Sequence, residues 1–139
     1  MSLDAPDPVP TVDVAAALIE QDGRYLIARR RDDAVLGGFW EFPGGKRRTG
    51  ESLQACLVRE VREELGVEIA VGELCERVVH AYPHATVALH VFQGILVGGV
   101  PRAIGCAEIK WVAASELGDH RFPPANGPVI RRLMQQPTS

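Results

Sequence analysis

Three glutamates in one short helical segment are the residues of this sequence whose spacing best indicates chemistry. A helix turns by about 100° per residue, so Glu60 and Glu64 fall on the same face as Leu57 and Val61. Glu63 lies at the edge of that face, three residues after Glu60. Burying carboxylates beside leucines costs several kcal/mol unless a cation compensates their charge. We therefore expect these glutamates to hold a cation.

The cation that the glutamates predict is Mg²⁺, with Mn²⁺ as the alternative. Hard divalent cations prefer carboxylate oxygens, and Mg²⁺ usually keeps several waters and binds substrate phosphates. Such a site neutralises the charge of a polyphosphate and activates a water molecule. The same rotation places Arg59 and Arg62 on the outer face of the helix, with Arg59 four residues before Glu63. The competing interpretation is an ordinary surface helix with ion pairs between residues four positions apart.

The elements around this segment predict an α/β fold in a single domain over residues 1–139. Apolar alternation and turn residues place strands and helices in the order strands, helix, strands, helix, which suggests a mixed sheet with helices packed on it. Ser52 can cap the first helix, and Gly66 stands where a helix-ending glycine belongs. Residues 1–10 are expected to be a loose lead-in. The strands are predicted over 12–20, 24–30, 39–42, 74–81, 86–97 and 109–112, and the helices over 52–65 and 125–135.

The composition excludes several classes of protein. The net charge of −3 disfavours a general grip on the backbone of a nucleic-acid polymer. The longest apolar run, Val14 to Ile19, is too short to span a bilayer. Cys56, Cys75 and Cys106 are odd in number and lack metal-site spacing, which is typical of reduced thiols. We expect a cytoplasmic protein with neither a membrane nor a nucleic-acid polymer as partner; its oligomeric state stays open.

The segment from Gly45 to Val67 resembles the Nudix box, G-x5-E-x7-R-E-U-x-E-E-x-G-U, in which U is a bulky apolar residue. Every defining position is filled, by Gly45, Glu51, Arg59, Glu60, Val61, Glu63, Glu64, Gly66 and Val67. Nine fixed positions make a chance match negligible. The resemblance implies the Nudix fold, an α/β/α sandwich around a central mixed β-sheet, with the box forming a loop–helix–loop.

The resemblance also implies roles for the residues of the box. Arg59 resembles the residue that orients a catalytic glutamate, and Glu51 the one that supports the loop or a metal-bound water. Glu63 or Glu51 would accept the proton of the attacking water. The implied metal ligands are Glu60, Glu63, Glu64 and the backbone carbonyl of Gly44.

Two further segments resemble the MutT branch, whose members hydrolyse oxidised guanine nucleotides. These are residues 39–46 (FWEFPGGK) and 121–130 (RFPPANGPVI). In that branch an asparagine amide recognises the purine, because it offers both a donor and an acceptor, and this role would fall to Asn126. The alternative is that Asn126 only caps the last helix. Arg30 resembles the arginine that meets a phosphate or base edge, with Arg29 as the alternative.

Other positions carry weaker indications. Glu41 is polar in a strand predicted to be buried, which favours a hydrogen bond to the metal-site loop or to substrate. Tyr82 could stack on a base in a loop that lacks arginine. MutT-like proteins usually carry a further glutamate about six residues before the tryptophan matching Trp111. That position is Gly105 here, and Glu108 is a candidate to replace it.

The resemblance predicts a Mg²⁺-dependent nucleoside triphosphate pyrophosphohydrolase that forms a monophosphate and pyrophosphate, with oxidised nucleotides such as 8-oxo-dGTP as substrates. A CTP or dCTP pyrophosphatase, or a general nucleotide house-cleaning enzyme, would share the chemistry. A non-catalytic module that recognises an oxidised base is the alternative of another class. The three glutamates argue against it, because mere recognition does not need them.

Overall fold

The computed structural model describes residues 10–136, so most of the predicted lead-in lies outside the described residues. Neither α-helix of the described residues has the length and apolarity needed to span a membrane. The strands are β1 (Thr11–Gln21), β2 (Arg24–Arg29), β3 (Trp40–Glu41), β4 (Gly44–Lys46), β5 (Glu68–Ala81), β6 (Thr86–Gly98) and β7 (Glu108–Ala113). The helices are α1 (Leu53–Leu65) and α2 (Gly127–Gln135), with 3-10 turns at Ala114–Asp119 and Pro124–Asn126.

Strand β1 lies at the centre of the sheet and pairs with three neighbours. The order along the sheet is β3-β2-β1-β6-β5, with β4 also paired to β1 and β7 to β2. β1 and β6 run parallel, with Thr11 opposite Thr86 and Ile19 opposite Gly94. The other pairs are antiparallel. The sheet is therefore mixed, as predicted.

Each face of the sheet is covered by a helix. Successive residues of a strand point to opposite faces, so Leu18 and Ile19 enter different parts of the core. Ile19 packs in a cluster with Leu57 of α1, whereas Leu18 packs in a cluster with Val129 of α2. The predicted α/β/α sandwich is confirmed.

Both predicted ends of helix α1 are confirmed. The hydroxyl of Ser52 accepts a hydrogen bond from the Ala55 amide at 3.0 Å, which satisfies one of the free donors at the helix start. Gly66 ends the helix in the left-handed region, with φ of 68°, and its N–H donates to the Arg62 carbonyl. Glycine adopts this conformation without the steric cost of a side chain.

Strand β5 begins at Glu68, directly after the helix, and the predicted start at Leu74 is wrong. The register against β6 shifts between Val71 and Leu74, which interrupts the apolar alternation on which the prediction depended. Pairing nevertheless continues before the bulge, where Ala70 lies opposite Ile95. A bulge preserves a strand while breaking its period of two.

Four shorter elements also differ from prediction. Helix α2 begins at Gly127, because the residues from Pro124 to Asn126 form a 3-10 turn instead of its first turn. The strand predicted over 39–42 is reduced to Trp40–Glu41. Neither β4 nor the 3-10 turn over 114–119 was predicted. β4 forms because Gly44 approaches β1 closely; a Cβ atom there would lie 2.8 Å from Ala16 Cα.

Candidate active site

Helix α1 and strand β4 bring Glu60 against the backbone of Gly45. A Cβ atom at position 45 would lie 2.5 Å from Oε2 of Glu60, which is closer than side chains approach one another. The thiol of Cys56 donates to the Gly45 carbonyl at 3.5 Å from the same side of the helix. The first glycine of the box is therefore needed because a carboxylate occupies the space of its missing side chain.

Glu64 is the most unusual carboxyl group of the site. Its Oε2 atom is buried and has no hydrogen-bond partner among the described residues. Burial is the main cause that raises the pKa of Glu64 to about 9, and the negative charges of Glu41 and Glu60 add to it. Burial also raises the pKa of Glu41, although the charge of Arg30 opposes this. We call Glu41, Glu60 and Glu64 the acidic cluster.

Arg59 does not lie on the outer face of α1 as predicted, since its side chain is only 17% exposed. The carboxylates around it draw the guanidinium back along the helix. It donates to both oxygens of Glu51, at 2.7 and 2.8 Å, and to Oε1 of Glu60 at 2.8 Å. Longer bonds reach Glu63 at 3.4 Å and the Lys46 carbonyl at 3.2 Å. Arg59 thus connects Glu51, in the loop before α1, to Glu60 and Glu63 of the helix.

The carboxylate of Glu51 is fully engaged in this arrangement. Besides its two bonds from Arg59, it accepts the backbone N–H of Arg48 at 3.1 Å. Hydrogen bonds from Arg59 and from the Arg48 amide lower the pKa of Glu51 to about 2. A carboxylate held in this way fixes the loop between β4 and α1 and has little affinity for a proton.

Glu63 is the most solvent-accessible carboxylate of the site, with 53% of its side chain exposed. It lies 3.4 Å from Arg59 and 4.0 Å from Arg48. In residues 10–136, no three histidine, cysteine or acidic side chains are already arranged to hold a metal ion. The reason is visible in the contacts, because Glu60 and Glu63 both turn towards Arg59.

The donor set nevertheless fits a hard divalent cation. Glu64 offers a buried oxygen without a partner, and glycine at position 45 leaves the space that Glu60 occupies. Carboxylate and carbonyl oxygens are the ligands that Mg²⁺ and Mn²⁺ prefer. The ligand roles of the box glutamates and of the Gly44 carbonyl stay predictions.

A cavity of about 370 Å³ opens beside the acidic cluster. Glu41, Gly44 and Gly45 contribute to its wall, together with Tyr82 and Asn126 from distant parts of the chain. Apolar side chains complete the lining, among them Val14, Phe42, Val87 and Leu89. An apolar space of this size with a few polar groups suits a small organic ligand. We call it the substrate cavity.

Asn126 reaches the substrate cavity from the turn before α2. It is buried, with 7% exposed, and it stands at the N-cap position of α2. Its side chain makes no capping hydrogen bond, however, and Nδ2 donates only weakly to the Pro123 carbonyl, at 3.4 Å. The structure therefore gives no hydrogen bond in support of the capping alternative.

The two candidate arginines, at the end of β2 and directly after it, lie in different surroundings. Arg30 lines the substrate cavity, and its guanidinium donates to the Val35 carbonyl at 2.7 Å and to Glu41 at 3.1 Å. Arg29 is not part of the lining and pairs instead with Glu108 at 3.1 Å. The structure thus brings Arg30, and not Arg29, to the other predicted residues.

The loop after β6 packs against the end of α1 at the position of the missing glutamate. The Gly105 amide donates to the Glu64 carbonyl at 3.0 Å, and a Cβ atom at Gly105 would lie 3.3 Å from Glu64 Cα. The carboxylate of Glu108 is turned to Arg29. Burial and the charge of Glu64 raise the pKa of the Cys106 thiol, which follows Gly105 in the chain. Cys56, Cys75 and Cys106 are all free thiols, as predicted.

A second cavity, of about 430 Å³, lies between the sheet and α2. Its lining includes Glu76, one oxygen of which is buried and has no hydrogen-bond partner within residues 10–136, although Arg132 lies 3.7 Å from it. None of the acidic cluster lines this cavity. The smaller substrate cavity is the better candidate because it adjoins the carboxylates.

Several residues of the cavity wall are not among those predicted from the sequence. Val87, Leu89 and His84 line the substrate cavity from β6 and the turn before it. Alternation along β6 could have placed Val87 and Leu89 on one face. Only the parallel pairing of β6 with β1 brings that face to the acidic cluster.

The model of the NUDIX domain family matches residues 14–132. Two relatives from bacteria resemble the chain over most of their length. The CTP pyrophosphohydrolase of Escherichia coli K12 is 34% identical over 123 residues, which is 88% of this chain and 91% of the relative. The 8-oxo-dGTP diphosphatase of Haemophilus influenzae is 32% identical over 126 residues, 90% of this chain and 93% of the relative.

A solved structure shows the same fold. The crystal structure of the MutT protein from Methanosarcina mazei Go1 superposes with a TM-score of 0.80 at 29% identity. The match covers 95% of this chain and 96% of that protein.

Proposed function

Because this chain belongs to the NUDIX domain family, we propose that it is a Mg²⁺-dependent pyrophosphohydrolase that converts a nucleoside triphosphate to the monophosphate and pyrophosphate. One observation carries the proposal. A buried Glu64 oxygen without a partner lies in an acidic cluster that adjoins a cavity suited to a nucleoside. A divalent cation would compensate these carboxylates, and the bound cation would in turn bind the negatively charged polyphosphate of a nucleotide.

The box glutamates would hold the cation. Glu60, Glu63 and Glu64, with the carbonyl of Gly44, are the proposed ligands. Bound there, Mg²⁺ would neutralise phosphate charge and lower the pKa of an attacking water.

Among the protein groups, Glu63 is the proposed acceptor of the water's proton. Its side chain is exposed, and only long contacts to Arg59 and Arg48 hold it. Glu51 is better suited to positioning, because Arg59 and the Arg48 amide occupy its carboxylate and lower its pKa to about 2. A general base must be able to take up a proton near the working pH.

Base recognition is proposed for the other side of the substrate cavity. The Asn126 amide can offer both a donor and an acceptor to a purine edge, including the N–H that 8-oxoguanine carries at N7. Arg30, which donates to Glu41 and lines the cavity, is the proposed contact to a phosphate or a base edge. We therefore propose oxidised purine nucleotides such as 8-oxo-dGTP as the preferred substrates. Their hydrolysis would sanitise the nucleotide pool.

CTP hydrolysis is the second candidate for the same site. It is favoured by the relative named a CTP pyrophosphohydrolase, which is 34% identical to this chain, whereas the 8-oxo-dGTP diphosphatase is 32% identical. A non-catalytic module is disfavoured, because recognition alone would leave the buried Glu64 oxygen without purpose or partner.

Release of pyrophosphate from a panel of triphosphates tests both candidates. The panel contains dGTP, 8-oxo-dGTP, dCTP, CTP and dATP, each assayed with Mg²⁺. A kcat/KM for 8-oxo-dGTP at least tenfold above that for dCTP and CTP supports the proposal. Preference for the cytidine nucleotides would select the second candidate, and no pyrophosphate from any of them would reject the activity.

A further inference from the structure

The amide of Ala125 has no partner within its own helical turn. The first N–H groups of a helix lack acceptors inside it, but Pro123 and Pro124 have no N–H to satisfy. The Asn126 amide donates to the Pro123 carbonyl at 3.0 Å. Ala125 is therefore the residue of this segment whose N–H needs an outside acceptor, and it is buried, with 4% exposed.

Tyr82, which also lines the substrate cavity, supplies that acceptor. Its phenolic oxygen accepts the Ala125 N–H at 3.1 Å. The ring of Tyr82 is held by neighbours, with its centroid 4.5 Å from that of His80 and 5.9 Å from that of His84. Its backbone N–H donates to the Ala85 carbonyl, which closes the turn between β5 and β6. Tyr82 is thus a fixed point for the Pro123–Asn126 segment.

Asn126 is buried, but among the described residues hydrogen bonding holds its side chain only weakly. Its side chain makes one long bond, to the carbonyl of Pro123 in the same turn. That bond moves with the turn, so it cannot fix the turn against the cavity. The hydrogen bond from Ala125 to Tyr82 joins the turn to a residue outside it, in the loop between β5 and β6, and both Tyr82 and Asn126 line the cavity.

We infer that Tyr82 is a positioning residue, whose phenolic oxygen holds Asn126 in place for base recognition through the Ala125 amide. The inference rests on the proposed function of Asn126 and deepens it. It differs from the stacking role predicted for Tyr82, because stacking requires the ring whereas positioning requires the hydroxyl.

Tyr82→Phe separates the two roles, since it keeps the ring and removes the acceptor. We expect KM for the preferred triphosphate to rise about 5- to 10-fold, the effect of losing one hydrogen bond, with kcat within about 2-fold. The double variant Tyr82→Phe/Asn126→Ala should match Asn126→Ala alone, because a residue that acts through another gives non-additive effects. Tyr25→Phe is the matched control: it is the other tyrosine of the chain, it lines the second cavity, and KM should not change.

An unchanged KM in Tyr82→Phe, or fully additive losses in the double variant, would overturn the inference. Nuclear magnetic resonance gives a readout that is independent of activity. The side-chain amide signals of Asn126 should shift in Tyr82→Phe, the Ala125 amide should exchange faster, and neither should change in Tyr25→Phe. If the wild-type protein hydrolyses none of the triphosphates, the proposed function fails, and these signals alone decide whether Tyr82 positions Asn126.

Discussion

Arg59 and Glu51 face each other edge to edge, with Nε 2.7 Å from one carboxylate oxygen and Nη2 2.8 Å from the other. This paired geometry depends on the planar fork of arginine, which lysine cannot reproduce. We expect Arg59→Lys to lower kcat about 10- to 100-fold, because Glu60 and Glu63 lose a fixed partner. Steady-state kinetics at saturating Mg²⁺ measures this.

Arg62→Lys is the matched control for Arg59→Lys. Arg62 lies on the same helix and pairs with Glu68 at an exposed site. The kcat of the Arg62→Lys variant should therefore stay near that of the wild type. The variant Arg59→Lys/Glu51→Gln should be little worse than either single variant, since the two residues act as a unit. If the kcat loss of the double variant equalled the product of the two single losses, Arg59 and Glu51 would not act as a unit.

Removal of divalent cations should abolish activity, and carboxylates of the acidic cluster should be required for its return. Excess EDTA should stop pyrophosphate release, and added Mg²⁺ should restore it. Glu60→Gln and Glu64→Gln should each lower kcat by orders of magnitude, while the Tm of the metal-free protein holds or rises. Glutamine at position 60 removes a charge from the cluster, and glutamine at position 64 is buried without the proton that the Glu64 carboxyl must take up on folding. Glu73→Gln, at an exposed position, is the control. Full turnover in EDTA, or losses that only follow unfolding, would reject the metal site.

The stability of the metal-free protein should fall as pH rises between about 4.5 and 9. Burial raises the pKa of Glu64 from its usual value to about 9, so the folded state favours the protonated carboxyl throughout this window. The stability that this proton provides is complete below pH 4.5 and is lost as pH rises through 9, at no more than about 1.4 kcal/mol per pH unit. Urea unfolding at pH 5, 6.5 and 8 measures the slope. It should be shallower in Glu64→Gln, and equal slopes would show that Glu64 titrates normally.

The products should reveal which phosphorus is attacked. The proposed reaction converts a triphosphate to monophosphate and pyrophosphate, so ¹⁸O from labelled water should be incorporated into one of these two products. Anion-exchange separation with mass spectrometry identifies both. Diphosphate with orthophosphate would refute this regiochemistry while leaving the metal site intact.

Asn126→Ala should reduce kcat/KM for 8-oxo-dGTP about 10- to 100-fold, with little effect on dCTP. Loss of the amide leaves polar groups of the ligand unpaired, at about 1–3 kcal/mol. Comparing the two substrates in one variant controls for any loss of folded protein. Equal losses for purine and pyrimidine triphosphates would remove Asn126 from base recognition.

The sequence predicts the box helix well, because its signals are local. The Ser52 cap, the Gly66 ending and the shared face of Glu60 and Glu64 all depend on spacing within one helix. The inward turn of Arg59 was missed, since it depends on Glu51, which only the folded loop brings within reach. The same limit applies to β4, whose pairing with β1 needs a close backbone approach that no periodic pattern encodes.

The central position of β1 has a consequence for how the site comes into being during synthesis. β1 must wait for β6, whose first pair joins Thr11 to Thr86, and contacts between segments so far apart form late in folding. Until β6 has left the ribosome, helix α1 is present without the completed sheet that covers Leu57 and Val61. Nascent chains that stop before Gly98 should therefore expose this apolar face and be bound by chaperones or aggregate.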